Sequence, residues 1–163
     1  MADEPLQVSA VLAAMADGIG DLTFASAEWV EAARVVLTET VAHNEVGLAD
    51  IGEFTLCEVA HNPPAYLHAG NKLAWHARFS GATVDVGTGE LDSTECDFKV
   101  QGDHSVLSNL ARIQYHGKDP SLVAAAQARL GKLTRWQIDG ALPQHAALGS
   151  VLRTLHDHVA VRT

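Results

Sequence analysis

Three groups of residues have types and spacings that could do chemistry. His76 and Asp85 lie at equal distances on either side of a two-residue turn signal, Ser80-Gly81. A hairpin folded there sets the imidazole opposite the carboxylate. Such a carboxylate fixes one tautomer and raises the imidazole pKa, which is how a general base is oriented. The same pair on a solvated sheet face is an ordinary cross-strand contact of ~0.2–1 kcal/mol. The sequence sets no serine or cysteine nucleophile beside it, so the ordinary contact is the favoured reading. His156-Asp157-His158 resembles a short metal tract. On a helix, however, residues i and i+2 diverge, and His145 does not repair the spacing. His156, next to Leu155, could instead anchor the polar group of a pocket's ligand. Gly87-Thr88-Gly89 lacks the third glycine and the strand-to-helix setting of a dinucleotide loop, and reads as a turn.

The remaining candidates are weaker. Arg78 and Arg135 fall on polar strand faces, where solvent is the expected partner, although either could meet a ligand carboxylate. His104 follows a helix N-cap, Asp103, where the positive helix end disfavours an imidazolium, and no function is expected of it. Cys57 and Cys96 lack a Cys-x-x-Cys partner and read as reduced thiols. Cys96 is expected to point with Phe98 to the apolar face as a small hydrophobe. No catalytic residue, metal site or cofactor is expected.

The elements that must position these residues follow from hydrophobic period. Ser26 caps a helix over 27–43 whose apolar face is Trp29, Ala33, Val36, Leu37 and Val41. Phe54 to His61 reads as a strand closed by Pro63-Pro64. Leu73, Trp75, Ala77 and Phe79 then alternate with Ala74, His76, Arg78 and Ser80. Turning at Ser80-Gly81 pairs Phe79 with Ala82, Ala77 with Val84, Trp75 with Val86, Arg78 with Thr83 and His76 with Asp85. Gly87 to Gly89 should break the ladder, and Cys96 to Gln101 alternates as a further strand. A helix from Asp103 carries Val106, Leu107, Leu110 and Ile113 and stops near Gly117. Another begins at Asp119-Pro120 with Val123, Ala126 and Leu130, ending at Gly131. Arg135 to Asp139 forms a last strand, and a closing helix over 144–159 carries Leu148, Val151, Leu152, Leu155 and Val159. Hairpin-linked strands followed by helices give an α+β fold, a mainly antiparallel twisted sheet with helices on one face.

Composition narrows the function classes. The 163 residues fit one domain, and 47% hydrophobic with 19% charged excludes disorder. A net charge of −9 repels phosphate backbones, so neither nucleic acid nor anionic membrane is an expected partner. There is no apolar run of membrane-spanning length and the acidic start is unlike a signal peptide, so a soluble, cytoplasmic protein is expected. Residues 1–23 read as an N-terminal extension with a short helix near Val8–Met15, and 24–163 as the domain.

Three segments resemble the sterol carrier protein type 2-like family, in its prokaryotic form. Phe24-Ala25-Ser26-Ala27-Glu28-Trp29 is similar to the family's opening helix motif. Ser80 to Gly87, Gly89-Glu90-Leu91-Asp92 and Cys96 to Asp103 are similar to its hairpin, acidic break, and strand leading into a helix. Gly131-Lys132-Leu133 through Gly140 is similar to the strand before the closing helix. The resemblance implies a five-stranded sheet covered on one face by helices. It also implies an apolar tunnel for sterols, fatty acids or acyl-CoA-like ligands, with the last helix as a flap. The chain ends Val161-Arg162-Thr163, without a peroxisomal Ser-Lys-Leu.

From the residues, the lining should come from the helix-facing sheet positions Trp75, Ala77, Phe79, Val84, Val86, Phe98 and Trp136. The helices should add Leu107, Leu110, Leu148, Leu152 and Leu155. The expected function is non-catalytic carriage of a hydrophobic small molecule, by a monomer or a homodimer. One alternative is a small α+β-barrel enzyme of the cyclase or hydrolase type that uses His76 and Asp85. Another is an assembly subunit whose apolar groove takes a protein partner.

Overall fold

A computed structural model describes residues 22–43, 52–115, 117, 119–138 and 148–162. The extension expected over residues 1–23 lies almost wholly outside these. So does the start of the closing helix. Among the described residues, helix α1 (Ala27–Ala42) leads into strands β1 (Glu53–His61), β2 (Lys72–Ser80), β3 (Thr83–Thr88) and β4 (Phe98–Asp103). Helices α2 (His104–Ala111) and α3 (Pro120–Gly131), strand β5 (Thr134–Ile138) and helix α4 (Leu148–Arg162) follow. The five strands form one sheet in the order β3-β2-β1-β4-β5. Only β1 and β4 pair parallel, with Glu58 opposite Val100. The other neighbours are antiparallel.

Local chemistry sets these boundaries. The Ser26 hydroxyl accepts the Trp29 N–H at 3.2 Å and caps α1, whose predicted apolar face is wholly buried. Asp119 accepts the Ser121 N–H with Pro120 at the first helical position, as the sequence requires. Asp103 occupies the N-cap position of α2 but makes no side-chain capping bond. Instead, its carboxylate takes the Asn62 amide at 3.4 Å. His104, buried behind it, bonds the Phe24 carbonyl through Nε2 at 2.9 Å and ties the chain before α1 to α2.

The sheet corrects three expectations. The β2–β3 loop is Gly81-Ala82, so Ser80 pairs with Thr83, Phe79 with Val84, Arg78 with Asp85 and Ala77 with Val86. His76 therefore faces Gly87, and the His76–Asp85 pair does not form. The cause is Gly81, which takes φ +58° at the first loop position and draws Ala82 into the turn. Second, Gly87 continues the ladder rather than breaking it. Third, β4 begins at Phe98. Asp97 ends the preceding connection by binding Thr55, carboxylate to N–H at 2.7 Å and N–H to carbonyl at 3.0 Å. Cys96 consequently lies on the far face of the sheet with Cys57, Val59 and Leu91, not beside Phe98.

The main core sits between the sheet and the helices. Phe54 stacks on Phe79 at 4.5 Å, and Trp29 meets Trp75 edge-on at 5.1 Å. Helix α1 lies against β3, and α4 packs on α1. A smaller cluster of Ile113, Val123, Ala126 and Leu130 joins α3 to the end of α2.

Candidate functional site

Between the sheet and the helices the packing leaves a cavity of about 320 Å³. Strands β1, β2 and β4 supply its floor through Leu56 and Glu58, Trp75 and Phe79, and Phe98. Helix α1 supplies Trp29 and Leu37, and α4 adds Leu152, Leu155, His156 and Val159. Of the predicted lining, Trp75, Phe79, Phe98, Leu152 and Leu155 border this space. Ala77, Val86 and Leu107 are buried in the core beside it, with Val84 and Leu110 packed on that core. These five fill space where the first five leave it. Leu107, for example, lies under Gly102. The side chains of Trp136 and Leu148 lie outside the described residues.

Most of the cavity wall is apolar, and Glu58, Tyr115, Gln127, Arg153 and His156 are its polar members. Glu58 occupies an inward position of β1, in step with Phe54, Leu56 and Ala60. Its β2 partner is Trp75, whose indole N–H donates to Glu58 Oε2 at 2.7 Å. Burial pushes the Glu58 carboxyl above the usual carboxylate range, and the Trp75 bond only partly opposes this. Tyr115, just beyond α2, accepts the Gln127 side-chain N–H at 3.2 Å, and its phenol is likewise raised by burial. His156 meets the Tyr115 ring edge-on at 5.1 Å, and its Nε2 is buried without a hydrogen-bond partner. Burial lowers this imidazole's pKa and keeps it neutral. The Asp157 charge and bonds to the Leu110 and Ile113 backbone act in the opposite direction. Arg153 is exposed and stands 5.8 Å from the Tyr115 ring centre.

The His156-Asp157-His158 tract points in three directions. His156 lines the cavity. Asp157 accepts the Tyr115 backbone N–H at 2.7 Å, and His158 Nδ1 meets Thr40 Oγ1 at 3.1 Å. The expectation of a pocket-lining His156 thus acquires a geometry. Sequence reasoning missed Glu58, Tyr115, Gln127 and Arg153. Glu58 had a signal, a carboxylate on the apolar phase of a strand. The other three are brought in by tertiary packing alone.

His76 and Asp85 take no part in the cavity. His76 Nδ1 bonds the Gly89 carbonyl at 2.9 Å. Arg78 lies 3.7 Å from Glu95 on the same sheet face. Burial raises both thiols of the far face, Cys96 to about 11, which makes them poor nucleophiles. Beside them, the buried Lys99 ammonium bonds Glu90 at 2.9 Å and the Leu91 carbonyl at 2.8 Å, and Lys72 also pairs with Glu90.

Solved structures of similar overall fold are known. The crystal structure of sterol carrier protein 2 is similar at a TM-score of 0.56, with 15% identity over 86% of this chain and 99% of that one. The fold is that of sterol carrier protein 2. The solution structure of the conserved hypothetical protein TT1886 of Thermus thermophilus is similar at a TM-score of 0.53 and 16% identity. That match covers 86% of this chain and 88% of that one. No protein-family model and no curated protein matches the sequence. Within this sterol-carrier fold, the cavity lies on the helix-covered face of the sheet. No described helix is long and apolar enough to cross a membrane.

Proposed function

We propose that the chain is a non-catalytic carrier that holds a hydrophobic small molecule, with an alkyl or ring body, between sheet and helices. The observation that carries this is the 320 Å³, largely apolar cavity with a part-buried carboxyl, that of Glu58, in its wall. The volume falls at the lower end of ligand pockets, roughly 300–1,000 Å³. Burying apolar ligand surface there is worth ~25 cal/mol per Å² before ordering costs. The sterol-carrier fold supports the reading, and a lipid tail suits a space walled by Trp29, Leu56, Phe79 and Phe98. The enzyme alternative loses its motive, because the His76–Asp85 pair it needs does not form.

The test is native mass spectrometry of freshly purified protein, followed by organic extraction. Uptake of the neutral fluorophore N-phenylnaphthylamine by stripped protein completes it. The expected result is a co-purifying lipid-like mass released by solvent and saturable fluorophore uptake. Empty protein that takes up no fluorophore would sink the reading.

A further inference from the structure

We propose that His156 is an acid-released latch: its neutral imidazole seats helix α4 on Tyr115 and the end of α2, and a proton on Nε2 drives α4 from that seat. The imidazole meets the Tyr115 ring edge-on at 5.1 Å and bonds the Leu110 and Ile113 backbone. Its Nε2 is buried and has no hydrogen-bond partner. Unprotonated, that nitrogen forgoes one hydrogen bond. Protonated, it is an N–H donor on a buried cation with nothing to accept from it, which is far more costly. The rest of the seat is Asp157, which accepts the Tyr115 N–H at 2.7 Å, and the buried Leu155, Val159 and Ala160 of α4, which packs on α1. Since α4 also lines the cavity, on the carrier reading the same event opens the site; the latch itself stands on the packing alone.

The charged and titratable groups of the surrounding elements do not take up the new charge in place. Asp157 follows His156 directly, where helical side chains diverge, and its carboxylate is engaged with Tyr115. Arg153 on α4 and Arg112 at the α2 C-cap are themselves cations. The Tyr115 phenol accepts from Gln127, and Glu58 on β1 accepts from the Trp75 indole. Helices α1 and α3 bring only Trp29, Leu37 and Gln127 to the cavity wall among the described residues, and His158 stands apart at Thr40. In water the freed imidazole takes its proton at about pH 6.5, whereas burial holds the seated one neutral to lower pH. The seated state therefore loses stability as pH falls below about 6.5, and the loss levels off below the folded value. Glu58 acts with the opposite sign, because acid favours its buried form.

The experiment is hydrogen exchange of the full chain read by mass spectrometry between pH 7.5 and 5.5, corrected for the intrinsic pH dependence of exchange. Protection of the α4 amides should fall by up to about tenfold for each pH unit below about 6.5, while β1 and β2 keep theirs. His156→Phe keeps a ring against Tyr115 and cannot take a proton, so its α4 protection should not change over that range. Protection of α4 that stays flat in the unaltered protein overturns the latch. So does an equal fall in the variant, which would assign the acid response to His158. Magnetic resonance of the His156 ring in the unaltered protein gives a check that needs no variant. Its titration should lie below pH 6.5 and coincide with shifts of the α4 amides, and a ring that titrates while α4 stays in place overturns the proposal.

Discussion

Glu58 is a carboxyl whose chemistry departs from that of its surface counterparts, and its cost is visible in pH dependence. Burial disfavours its anion, so the folded state holds the proton at pH values where the unfolded chain has released it. Stability therefore falls as pH rises from the unfolded value of about 4.3 through the raised folded value, and levels off above it. Glu58→Gln keeps an oxygen for the Trp75 indole and removes the titration. The expected outcome is a stability gain over the unaltered chain that is small near pH 4 and grows toward neutrality. Urea unfolding of both proteins across that range measures it, and parallel curves would refute the assignment. Glu58 was legible as the one charge in an otherwise apolar phase of β1. Carboxylates on strands usually face water, and only the register with Trp75 shows that this one does not.

At the scale of elements, the β2–β3 hairpin shows what hydrophobic alternation can and cannot specify. The apolar phase assigns Trp75, Ala77, Phe79, Val84 and Val86 to one face, and all five lie there. A slide of two residues along β3 preserves that assignment, so the pattern is blind to it. The turn decides, through Gly81 and its positive φ. The slide brings His76 over Gly87, where an added Cβ would stand 2.8 Å from His76 Nε2. Gly87→Ala must push the ring away and break its bond to the Gly89 carbonyl. We expect a loss of about 1 kcal/mol. In a His76→Ala background the same change should be neutral or stabilising, since a strand glycine otherwise only adds chain entropy. A double-mutant cycle by thermal or urea unfolding should return a coupling of about 0.5–3 kcal/mol. No coupling would mean that the strands pair in the register that sets Asp85 opposite His76.

For the molecule as a whole, the order of elements and the sheet-over-helix layering were legible, because period and caps mark them directly. The cavity was not, since a residue that lines a void and one that fills a core are both apolar at the same spacing. Leu107 and Leu155 illustrate this. Both are buried on the helix side, yet only Leu155 borders the space. Filling that space should therefore separate stability from binding. Ala111 borders it from the end of α2 and is not fully buried. Ala111→Leu adds apolar volume where the packing is incomplete, a change that commonly contributes about 0.5–2 kcal/mol. The expected outcome is a higher Tm for the empty protein together with a clear loss of fluorophore affinity. Ligand should also stabilise the two proteins differently. At about a hundredfold excess over Kd, binding adds roughly 2.7 kcal/mol to the unaltered chain and little to the filled one. Calorimetry with and without dodecanol reads both effects. A filled variant that binds as before would show that the occupant lies elsewhere and that the space is only a packing fault. Helix α4 lines the cavity with Leu152, Leu155 and His156, and on the carrier reading it is the element that yields for entry. Its amides should exchange faster than those of β1 and β2 in empty protein and slow on loading, whereas equal protection in both states would require another route in.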